Sequence, residues 1–425
     1  MMILRWFYTL LLFLVAPVFL VGLYKNRPGK PPVGHRWKEH FGLTPPLTRN
    51  TTETGSPIWI HAVSVGETIT VASLIKQLRQ IYPNKKIVIT TTTPTGAEQA
   101  QNLIPEVEHR YAPLDFPFAI KKFIKTIHPS HLLIMETELW PNLLHIAQEN
   151  GVNISVINAR LSEKSYQKYR KFKIFIQMCL PKINHISCQY YEDKKRFLLL
   201  GANESQLSVT GSMKYDITIS QKIEHKAKEL RDYLGKSRPV WIAASTHNGE
   251  DELILESHKK ILKSYPDALL ILVPRHPERF NTVYELCIKN DFSVCRRTLE
   301  AESHVQTQVY LGDTMGEMLI LIGASDVCFM GGSLLGDTGG HNVLEPAALE
   351  VPTLIGPNFY NFHDITTELK NAEALQVVNH AQELHGYVID LFNDDEKRKK
   401  MSFQAKKTIR KNTGAIRKTI CTIFS

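Results

Sequence analysis

The segment PIWIHAVSVGETITVASLIKQLRQI, residues 57–81, contains the signals of a strand, a turn and a helix in succession. Its first part, 58–63, is a short and largely apolar run, whereas 68–81 places its apolar residues at the spacing of one helix face. A short apolar strand that leads into an amphipathic helix is typical of a parallel sheet covered by helices on both faces. The segment therefore predicts an α/β fold.

The same alternation recurs along the chain in two series, the second of which begins at Pro239. The first series predicts strands at 58–63, 87–91, 132–135, 154–157 and 185–188. The second series predicts strands at 240–244, 269–273, 309–311, 327–330 and 353–355. Two such series predict two Rossmann-like, doubly wound domains, which we place at 28–215 and 216–425 after an N-terminal segment at 1–27.

The N-terminal segment contains an uncharged and strongly apolar run of 19 residues at 6–24. As a helix it would be about 28 Å long, close to the thickness of a bilayer's hydrocarbon core. Five basic residues follow it by position 38, whereas only Arg5 precedes it, which predicts that the body of the protein is cytoplasmic. Because Pro17 and Gly22 weaken the helix, a segment lying in the membrane interface remains open. A buried helix is disfavoured because the run is apolar on every side, and we expect residues 1–27 to form a single membrane anchor.

The net charge of +9 is unevenly distributed along the chain. Ten Lys and Arg residues and no acidic residue lie in 397–418, and six lie in 164–182 among aromatic side chains. Both segments could attract nucleic acid or anionic lipid, and both are also typical of the solvated face of a helix. No zinc-finger, RNP-like or basic-zipper pattern accompanies them, so we expect no nucleic-acid partner. The 164–182 segment predicts a surface able to lie on a membrane.

The cysteine and histidine patterns predict no metal site. The six cysteines form no CxxC pair, and the histidines show neither HExxH nor HxxEH spacing. The GxSxG motif of serine hydrolases is also absent. Unpaired cysteines in a chain of 425 residues favour a reducing compartment over a disulfide scaffold.

Acidic side chains follow two strands of the first series. Glu67 lies in the first turn of the first helix, and Glu136 and Glu138 follow the third strand. These carboxylates could complement helix dipoles or act as general acids or bases, and burial would raise the pKa of Glu67 toward neutrality. Lys214 lies at the domain junction, where it could stabilise a leaving phosphate or be an exposed linker lysine.

The second series carries features of a nucleotide site. Arg275 lies between two prolines and could bind a phosphate with two hydrogen bonds, or form a surface salt bridge. The segment GDTMGE (312–317) opens a helix, and the glycine-rich stretch 331–346 leads into another, whose free N–H groups would surround a phosphate. Glu345 could then accept hydrogen bonds from a ribose. Neither a Walker A motif nor GxGxxG is present, which disfavours ATPase and NAD(P) functions.

Long motifs follow one another in a fixed order along nearly the whole chain. They are HAVSVGE (61–67), TTTTPTG (90–96), METELWPN (135–142), INARLS (157–162), VTGSMKYD (209–216), STHNGE (245–250), LVPRHPERF (272–280), GDTMGEM (312–318), FMGGSL (329–334) and GGHNVLEPA (339–347). Together with the apolar N-terminal segment, this series resembles the 3-deoxy-D-manno-octulosonic acid (Kdo) transferases of Gram-negative bacteria.

The resemblance implies an inverting glycosyltransferase of the GT-B type with a membrane anchor. Such an enzyme moves Kdo from CMP-Kdo to the tetraacylated lipid A precursor, lipid IVA, in lipopolysaccharide core assembly. It works at the cytoplasmic face of the bacterial inner membrane, among its phospholipids. The domain at 28–215 would bind the acceptor, and the domain at 216–425, ending in a basic helix, would bind the CMP-sugar.

The resemblance also assigns roles to individual residues. Glu67 would be the general base that takes the proton from the primary hydroxyl of the acceptor, and Glu136 and Lys214 would stabilise the transition state. The residues implied to hold CMP are Pro274, Arg275, Met315, Gly316, Glu317, Asn342, Val343, Leu344 and Glu345. We expect neither a metal nor another cofactor, because cationic side chains and a helix N-terminus could stabilise a departing monophosphate.

Two alternatives remain open from the sequence. One is a related GT-B enzyme that acts on another nucleotide sugar, which a preference for uridine over cytidine would reveal. The other is a membrane-bound regulator that binds a nucleotide without catalysis, which the absence of donor turnover in the presence of a lipid acceptor would reveal.

Overall fold

The structure is a computed structural model that describes residues 2–24, 33–48, 54–101, 103, 107–299, 306–336 and 338–424. The chain divides into two compact units, one formed by Met1–Asp216 with Thr413–Ser425 and the other by Ile217–Asn412. Each unit contains a seven-stranded sheet whose neighbouring strands are all parallel. The predicted pair of parallel-sheet α/β units is therefore confirmed.

The sheet of the first unit has the strand order β3-β2-β1-β4-β5-β6-β7. Its strands are β1 Thr54–His61, β2 Lys85–Thr91, β3 Glu108–Tyr111, β4 His131–Met135, β5 Asn153–Ala159, β6 His185–Cys188 and β7 Leu207–Val209. Its helices are α1 Met2–Tyr24, α2 Val65–Ile81, α3 Pro94–Gln101, α4 Pro117–Ile127, α5 Pro141–Glu149, α6 Glu163–Lys171, α7 Lys173–Cys179, α8 Tyr191–Leu200 and α17 Ala415–Phe424. Short 3₁₀ segments lie at Gly34–Phe41, Leu180–Lys182, Glu204–Gln206 and Met213–Tyr215.

The sheet of the second unit has the strand order β10-β11-β9-β8-β12-β13-β14. Its strands are β8 Val240–Thr246, β9 Leu269–Pro274, β10 Val294–Arg296, β11 Val309–Leu311, β12 Val327–Met330, β13 Thr353–Ile355 and β14 Leu375–Val377. Its helices are α9 Gln221–Leu234, α10 Glu250–Ser264, α11 Phe280–Lys289, α12 Met318–Gly323, α13 Leu344–Ala348, α14 His363–Asn371, α15 Leu384–Asn393 and α16 Asp395–Asn412. Its 3₁₀ segments are Pro277–Arg279, Arg297–Leu299, Tyr360–Phe362 and Ala381–Glu383.

Strand β1 shows why both faces of the first sheet are covered. Ile58 and Ile60 pack into the core shared with α2, whereas Trp59 points to the opposite face and packs on Phe123 of α4. Because successive side chains of a strand alternate between faces, a strand that is apolar throughout needs a helix layer on each side. The strand order reverses its direction between β1 and β4 and between β8 and β12, and ligands of such sheets bind outside the carboxyl ends of the strands at this point.

The C-terminal helix corrects the predicted domain boundary. The sequence places all of 216–425 in the second domain, but α17 belongs to the first unit, where Ile416 and Ile420 join the core shared with α2. The carboxylate of Asp216 accepts a hydrogen bond from the backbone N–H of Ile416 at 2.6 Å and another from Gly414. The apolar face of α17 therefore packs in the core of the first unit, although the helix follows the second unit along the chain.

Half of the ten cations in 397–418 form ion pairs within the second unit. These five cations, all on α16, are Lys397, Arg398, Lys399, Lys400 and Lys406, and their partners are Asp390, Asp395, Glu396, Glu373 and Glu350. These pairs are solvent-exposed, and the structure supports the interpretation of this segment as the solvated face of a helix.

Helix α1 packs one side against the first unit. Leu12, Ala16 and Leu20 contact the apolar cluster formed by the start of α4 and the loop before it. Thr9 is buried on this side of the helix, and its hydroxyl accepts a hydrogen bond from Nδ2 of Asn142 at 3.0 Å. The sequence predicts a helix that is apolar on every side, whereas α1 has a polar contact on the side that packs against the protein. Among the described residues, no helix combines the length and the apolarity that crossing a membrane requires. Met1 and residues 25–27 of the predicted anchor lie outside the described residues.

Candidate functional site

The side chain of Glu67 is held at the junction of β1 and α2. Ser64 caps the helix by accepting a hydrogen bond from the Glu67 backbone N–H at 3.3 Å, and its hydroxyl donates to the Glu67 carboxylate at 2.8 Å. The other carboxylate oxygen accepts from the backbone N–H of Val63 at 2.8 Å. This reciprocal arrangement fixes the carboxylate within the first turn of α2.

Burial makes the Glu67 carboxyl unusually basic. The residue is only 8% exposed, and burial raises its pKa to about 7, although the hydrogen bonds from Val63 and Ser64 act in the opposite direction. The charges of Glu136 and Glu138 raise the pKa further. Glu67 therefore caps the helix and also has a pKa suited to accepting a proton near neutral pH.

The backbone of Glu136 adopts an unusual conformation where β4 ends. Its φ is 56°, in the left-handed region that non-glycine residues rarely occupy, while its N–H still donates to the Ile157 carbonyl at 3.0 Å. Such a conformation costs about 1–3 kcal/mol and is often retained at functional sites. The carboxylate of Glu138 accepts a hydrogen bond from Nε1 of Trp140 at 2.9 Å.

Lys214 lies in the 3₁₀ segment Met213–Tyr215, which follows β7 and packs against α2, the helix that contains Glu67. The backbone N–H of Met213 donates to the side-chain oxygen of Asn158 at 3.0 Å, which ties the segment to the end of β5. Glu67, Glu136 and Lys214, the three residues predicted to be catalytic, thus follow the carboxyl ends of β1, β4 and β7 in one unit. Their predicted roles remain predictions.

In the second unit, a buried carboxylate organises the loops that follow β8 and β12. Glu250 is almost fully buried, and it accepts hydrogen bonds from the backbone N–H groups of His247 at 2.9 Å, Gly332 at 2.7 Å, Ser333 at 2.9 Å and Leu334 at 2.9 Å. The N–H groups of positions 332–334 are therefore not free to bind a phosphate. The helix whose N–H groups the sequence predicts for that role is α13, which begins at Leu344, and its role remains a prediction.

The residues predicted to hold the phosphate and ribose lie in the loops after β9 and β12. Pro274 ends β9, and the backbone N–H of Arg275 donates to the Thr246 carbonyl at 3.0 Å. The side chain of Asn342 lies 3.3 Å from the Glu345 carboxylate. Burial raises the pKa of Glu345, whereas Asn342 and the Arg275 guanidinium lower it.

Two other residues of this predicted set have their side chains in the core. Val343 and Leu344 are both fully buried. Any contact they make with a ligand therefore comes from the backbone.

The loop after β11 is held by a bidentate ion pair. The Glu317 carboxylate accepts from Nε and Nη2 of Arg297, each at 3.0 Å, and from the hydroxyl of Thr314 at 2.7 Å. The Arg297 hydrogen bonds lower the pKa of Glu317. Gly316 has a φ of 81°, and Met315 is 63% exposed. The Arg297–Glu317 pair thus fixes the loop that carries the flexible, apolar side chain of Met315. Such a side chain is suited to packing on a flat ring.

Two family models match the chain. The one described as 3-deoxy-D-manno-octulosonic-acid transferase (kdotransferase) matches residues 35–217, and the one described as glycosyl transferases group 1 matches residues 237–408. A 3-deoxy-D-manno-octulosonic acid transferase of Haemophilus influenzae is 40% identical over 420 residues, which are 98% of this chain and 97% of that protein. The chain belongs to the Kdo transferase family.

Other comparisons agree with this assignment. A transferase of the same name from Bordetella pertussis is 30% identical over 98% of both chains. As a member of the Kdo transferase family, the chain is a glycosyltransferase. The solved structure of a Rickettsia africae glycosyltransferase matches 87% of this chain and 98% of its own with a TM-score of 0.56 at 14% identity. That likeness shows the fold, two parallel-sheet α/β units of the GT-B type.

Sequence reasoning overlooked three residues of this Kdo transferase's second unit. Glu250 and His247 lie in the motif STHNGE, which supported the resemblance but received no individual role. Arg297, which fixes Glu317, lies in no motif at all. The signal for Glu250 was present, because an acid that starts a helix directly after a strand and a glycine is well placed to accept neighbouring backbone N–H groups.

Proposed function

We propose that the chain transfers Kdo from CMP-Kdo to the tetraacylated lipid A precursor, lipid IVA, with inversion at the anomeric carbon. Membership of the Kdo transferase family supports the transferred sugar. The observation that carries the mechanism is the buried Glu67 carboxyl with a pKa of about 7. A base of this pKa accepts a proton from a hydroxyl most effectively near neutral pH.

In the proposed reaction, the Glu67 carboxylate takes the proton of the acceptor's primary hydroxyl as the hydroxyl oxygen attacks the anomeric carbon of Kdo. The bond from that carbon to the phosphate oxygen of the donor breaks, and CMP departs with the electron pair. The transition state is similar to an oxocarbenium ion. Glu136 and Lys214 stabilise the charge that develops, and Arg275 binds the phosphate.

Mass spectrometry of the lipid product tests this reaction. The full chain in detergent is incubated with freshly generated CMP-Kdo and lipid IVA, and a mass gain of one or more Kdo residues is expected. If the mass is unchanged while CMP still binds, the proposed acceptor or transferred sugar is wrong. A control incubation with a UDP-sugar as the donor is expected to give no product.

The proposed mechanism uses no metal ion, because Lys214 and Arg275 supply positive charge to a leaving group that is a monophosphate. We therefore expect the transfer rate to stay within about twofold when EDTA is added in excess. A rate that falls with EDTA and recovers with added magnesium would show that the mechanism needs a divalent ion.

We also propose that α1 and the neighbouring α6 and α7 hold the protein on the cytoplasmic face of the bacterial inner membrane. The outward face of α1 exposes many large apolar side chains, namely Ile3, Trp6, Phe7, Leu10, Leu11, Leu14, Val15, Val18 and Val21. The ring of Tyr8 on α1 lies 6.3 Å from the ring of Phe175 on α7, so the two helices are adjacent. Phe172 and Ile174 are exposed beside them.

This surface combines the two features of an interfacial membrane site. The exposed apolar side chains would enter the boundary between headgroups and acyl chains, and Lys168, Lys171 and Lys173 would attract anionic headgroups. The contact between Thr9 and Asn142 holds α1 against the first unit, which favours a helix lying in the membrane plane.

Replacing Leu14 and Val18 together by Glu is expected to weaken binding to vesicles that contain phosphatidylglycerol at least tenfold. These side chains are 70% and 77% exposed, and burying one such side chain contributes about 1.5–3 kcal/mol. Co-sedimentation with the vesicles measures the effect. Phe403→Glu, at a position on α16 that is 62% exposed, serves as the control. Unchanged vesicle binding of the double variant would exclude α1 as the membrane site.

A further inference from the structure

Three histidines of the second unit meet where β8, β9 and β12 end. His247 follows β8, His276 follows β9 and His341 lies in the loop after β12. The ring centroids of His247 and His276 are 5.3 Å apart, and those of His247 and His341 are 5.1 Å apart. The proposed mechanism uses none of these side chains.

His247 and His341 form one hydrogen-bonded pair. Their Nε2 atoms are 2.8 Å apart and their ring planes differ by only 10°. Nearly parallel rings with nitrogens this close cannot be stacked face to face, because stacked rings are separated by about 3.5 Å. The rings therefore lie edge to edge and one proton must lie between the two nitrogens, so that one imidazole donates and the other accepts.

The surrounding loop fixes the position of this pair. A β-carbon at Gly332 would lie 2.9 Å from Cδ2 of His341, so only glycine leaves room for the ring there. The backbone N–H of His247 donates to Glu250 at 2.9 Å, and the same carboxylate accepts from Gly332. Glu250 thus fixes the backbone of His247 and that of Gly332, which lies against the ring of His341.

Charges of both signs surround the pair. The Glu250 carboxylate favours a charge on His247, whereas His276, Arg279 and Arg275 from the loop after β9 disfavour it. Arg279 is itself ion-paired with the buried carboxylate of Asp251. On the side of His341, the acidic group is Glu345 of α13, and the charge of Arg275 lowers the pKa of Glu345.

The pKa values of both histidines reflect these surroundings. Burial lowers the pKa of His247, and burial together with His247, Arg275 and His276 lowers that of His341 to about 3. Without a ligand the pair is consequently uncharged near neutral pH.

We propose that the His247–His341 pair is a binding subsite for the phosphodiester of the nucleotide-sugar donor and takes up one proton when that anion binds. The inference rests on the proposed function, since it assumes an anionic nucleotide donor. An anion placed beside the pair favours the imidazolium form. A second proton is opposed by the charge of the first, so the pair takes up one proton and not two.

The consequence is a site whose positive charge increases only when the donor is present. Arg275 and Arg279 both oppose a charge on His247, so the additional positive charge forms only when the donor brings a negative charge beside the pair. Because the pKa of the pair rises on binding, the affinity for the donor is highest at low pH and falls as pH rises through the pKa of the bound state.

Isothermal titration calorimetry of the full chain measures the proton directly. The probe is cytidine 5′-(methyl phosphate), a phosphodiester that does not titrate near neutral pH, whereas free CMP has a second ionisation near pH 6. Titrations near pH 7 in two buffers of different ionisation enthalpy give the number of protons taken up, which we expect to be about one per ligand bound.

The outcomes separate the inference from the proposed function. Binding without proton uptake would overturn the inference and leave the proposed donor intact. If the probe does not bind at all, the proposed cytidine donor fails and the inference fails with it. The wild-type titration alone decides between these outcomes, so the test does not depend on whether a variant folds.

Substitutions of His247 and His341 test whether this pair is the group that takes up the proton. His341→Asn is expected to reduce the proton uptake to near zero and to make the affinity almost independent of pH between 6 and 8, as is His247→Asn. His225→Asn, on the exposed side of α9, is the matched control and should keep the wild-type uptake. Full proton uptake in both pair variants would assign the proton to another group and overturn the inference.

Discussion

Glu67→Gln is expected to lower kcat for transfer by about 10²- to 10⁴-fold, the range in which general bases contribute. The amide keeps the size of the side chain and can still accept a hydrogen bond from Val63 or Ser64, but it cannot take the proton of the acceptor. The affinity for CMP is expected to stay unchanged, because Glu67 lies in the first unit and the residues predicted to hold CMP lie in the second. Single-turnover transfer and calorimetry with CMP measure the two quantities separately.

The pH dependence gives the same prediction a second test. A general base acts in its deprotonated form, so the wild-type rate should rise as pH increases through the Glu67 pKa of about 7. The residual rate of Glu67→Gln should lack this rise. Glu149→Gln, at an exposed position at the end of α5, is the control. A variant that retains more than a tenth of the wild-type rate, or keeps the rise near pH 7, would exclude Glu67 as the base.

Glu250→Ala is expected to lower the free energy of unfolding by about 3–5 kcal/mol and to weaken CMP binding strongly. The substitution leaves the backbone N–H groups of Gly332, Ser333 and Leu334 buried without an acceptor, and each such loss costs about 1–3 kcal/mol. The loops after β8 and β12 lose the carboxylate that joins them. Urea denaturation measures the stability.

Glu252→Ala is the matched control, because Glu252 lies in the same first turn of α10 but is exposed. We expect its free energy of unfolding to change by no more than about 0.5 kcal/mol. If Glu250→Ala changed the free energy of unfolding as little as Glu252→Ala does, the four hydrogen bonds of Glu250 would not hold the loops after β8 and β12 together.

The accuracy of the strand predictions depended on the position of each strand in its sheet. Every strand predicted from the sequence is present, and the four that were missed, β3, β7, β10 and β14, form the edges of the two sheets. Central strands are buried on both faces and read as apolar runs, whereas an edge strand such as EHRY (108–111) carries polar residues. Three or four residues of mixed polarity resemble a loop.

Residues of the candidate site could be predicted where they lie in a recognisable sequence motif. Glu67 could be singled out because it follows a strand and begins a helix, and burial raises its pKa as expected. A sequence signal existed for Glu250 as an acceptor of neighbouring N–H groups such as that of His247, but not for its bonds to Gly332, Ser333 and Leu334, which lie 82 to 84 residues farther along the chain. The left-handed φ of Glu136 likewise has no sequence signal, since glycine is the residue that usually marks such a conformation.

Because α17 belongs to the first unit, the chain segment that forms the first unit is interrupted by the second. The second unit is an insertion, since the polypeptide leaves the first unit after Asp216 and re-enters it at Thr413. The hydrogen bonds from Gly414 and Ile416 to Asp216 keep the two points of insertion next to each other. A domain whose ends are adjacent can be removed and its host rejoined by a short loop. Residues 217–412 therefore form an insertion with its own sheet and core, whereas the core of the first unit is completed by α17, which follows the insertion along the chain.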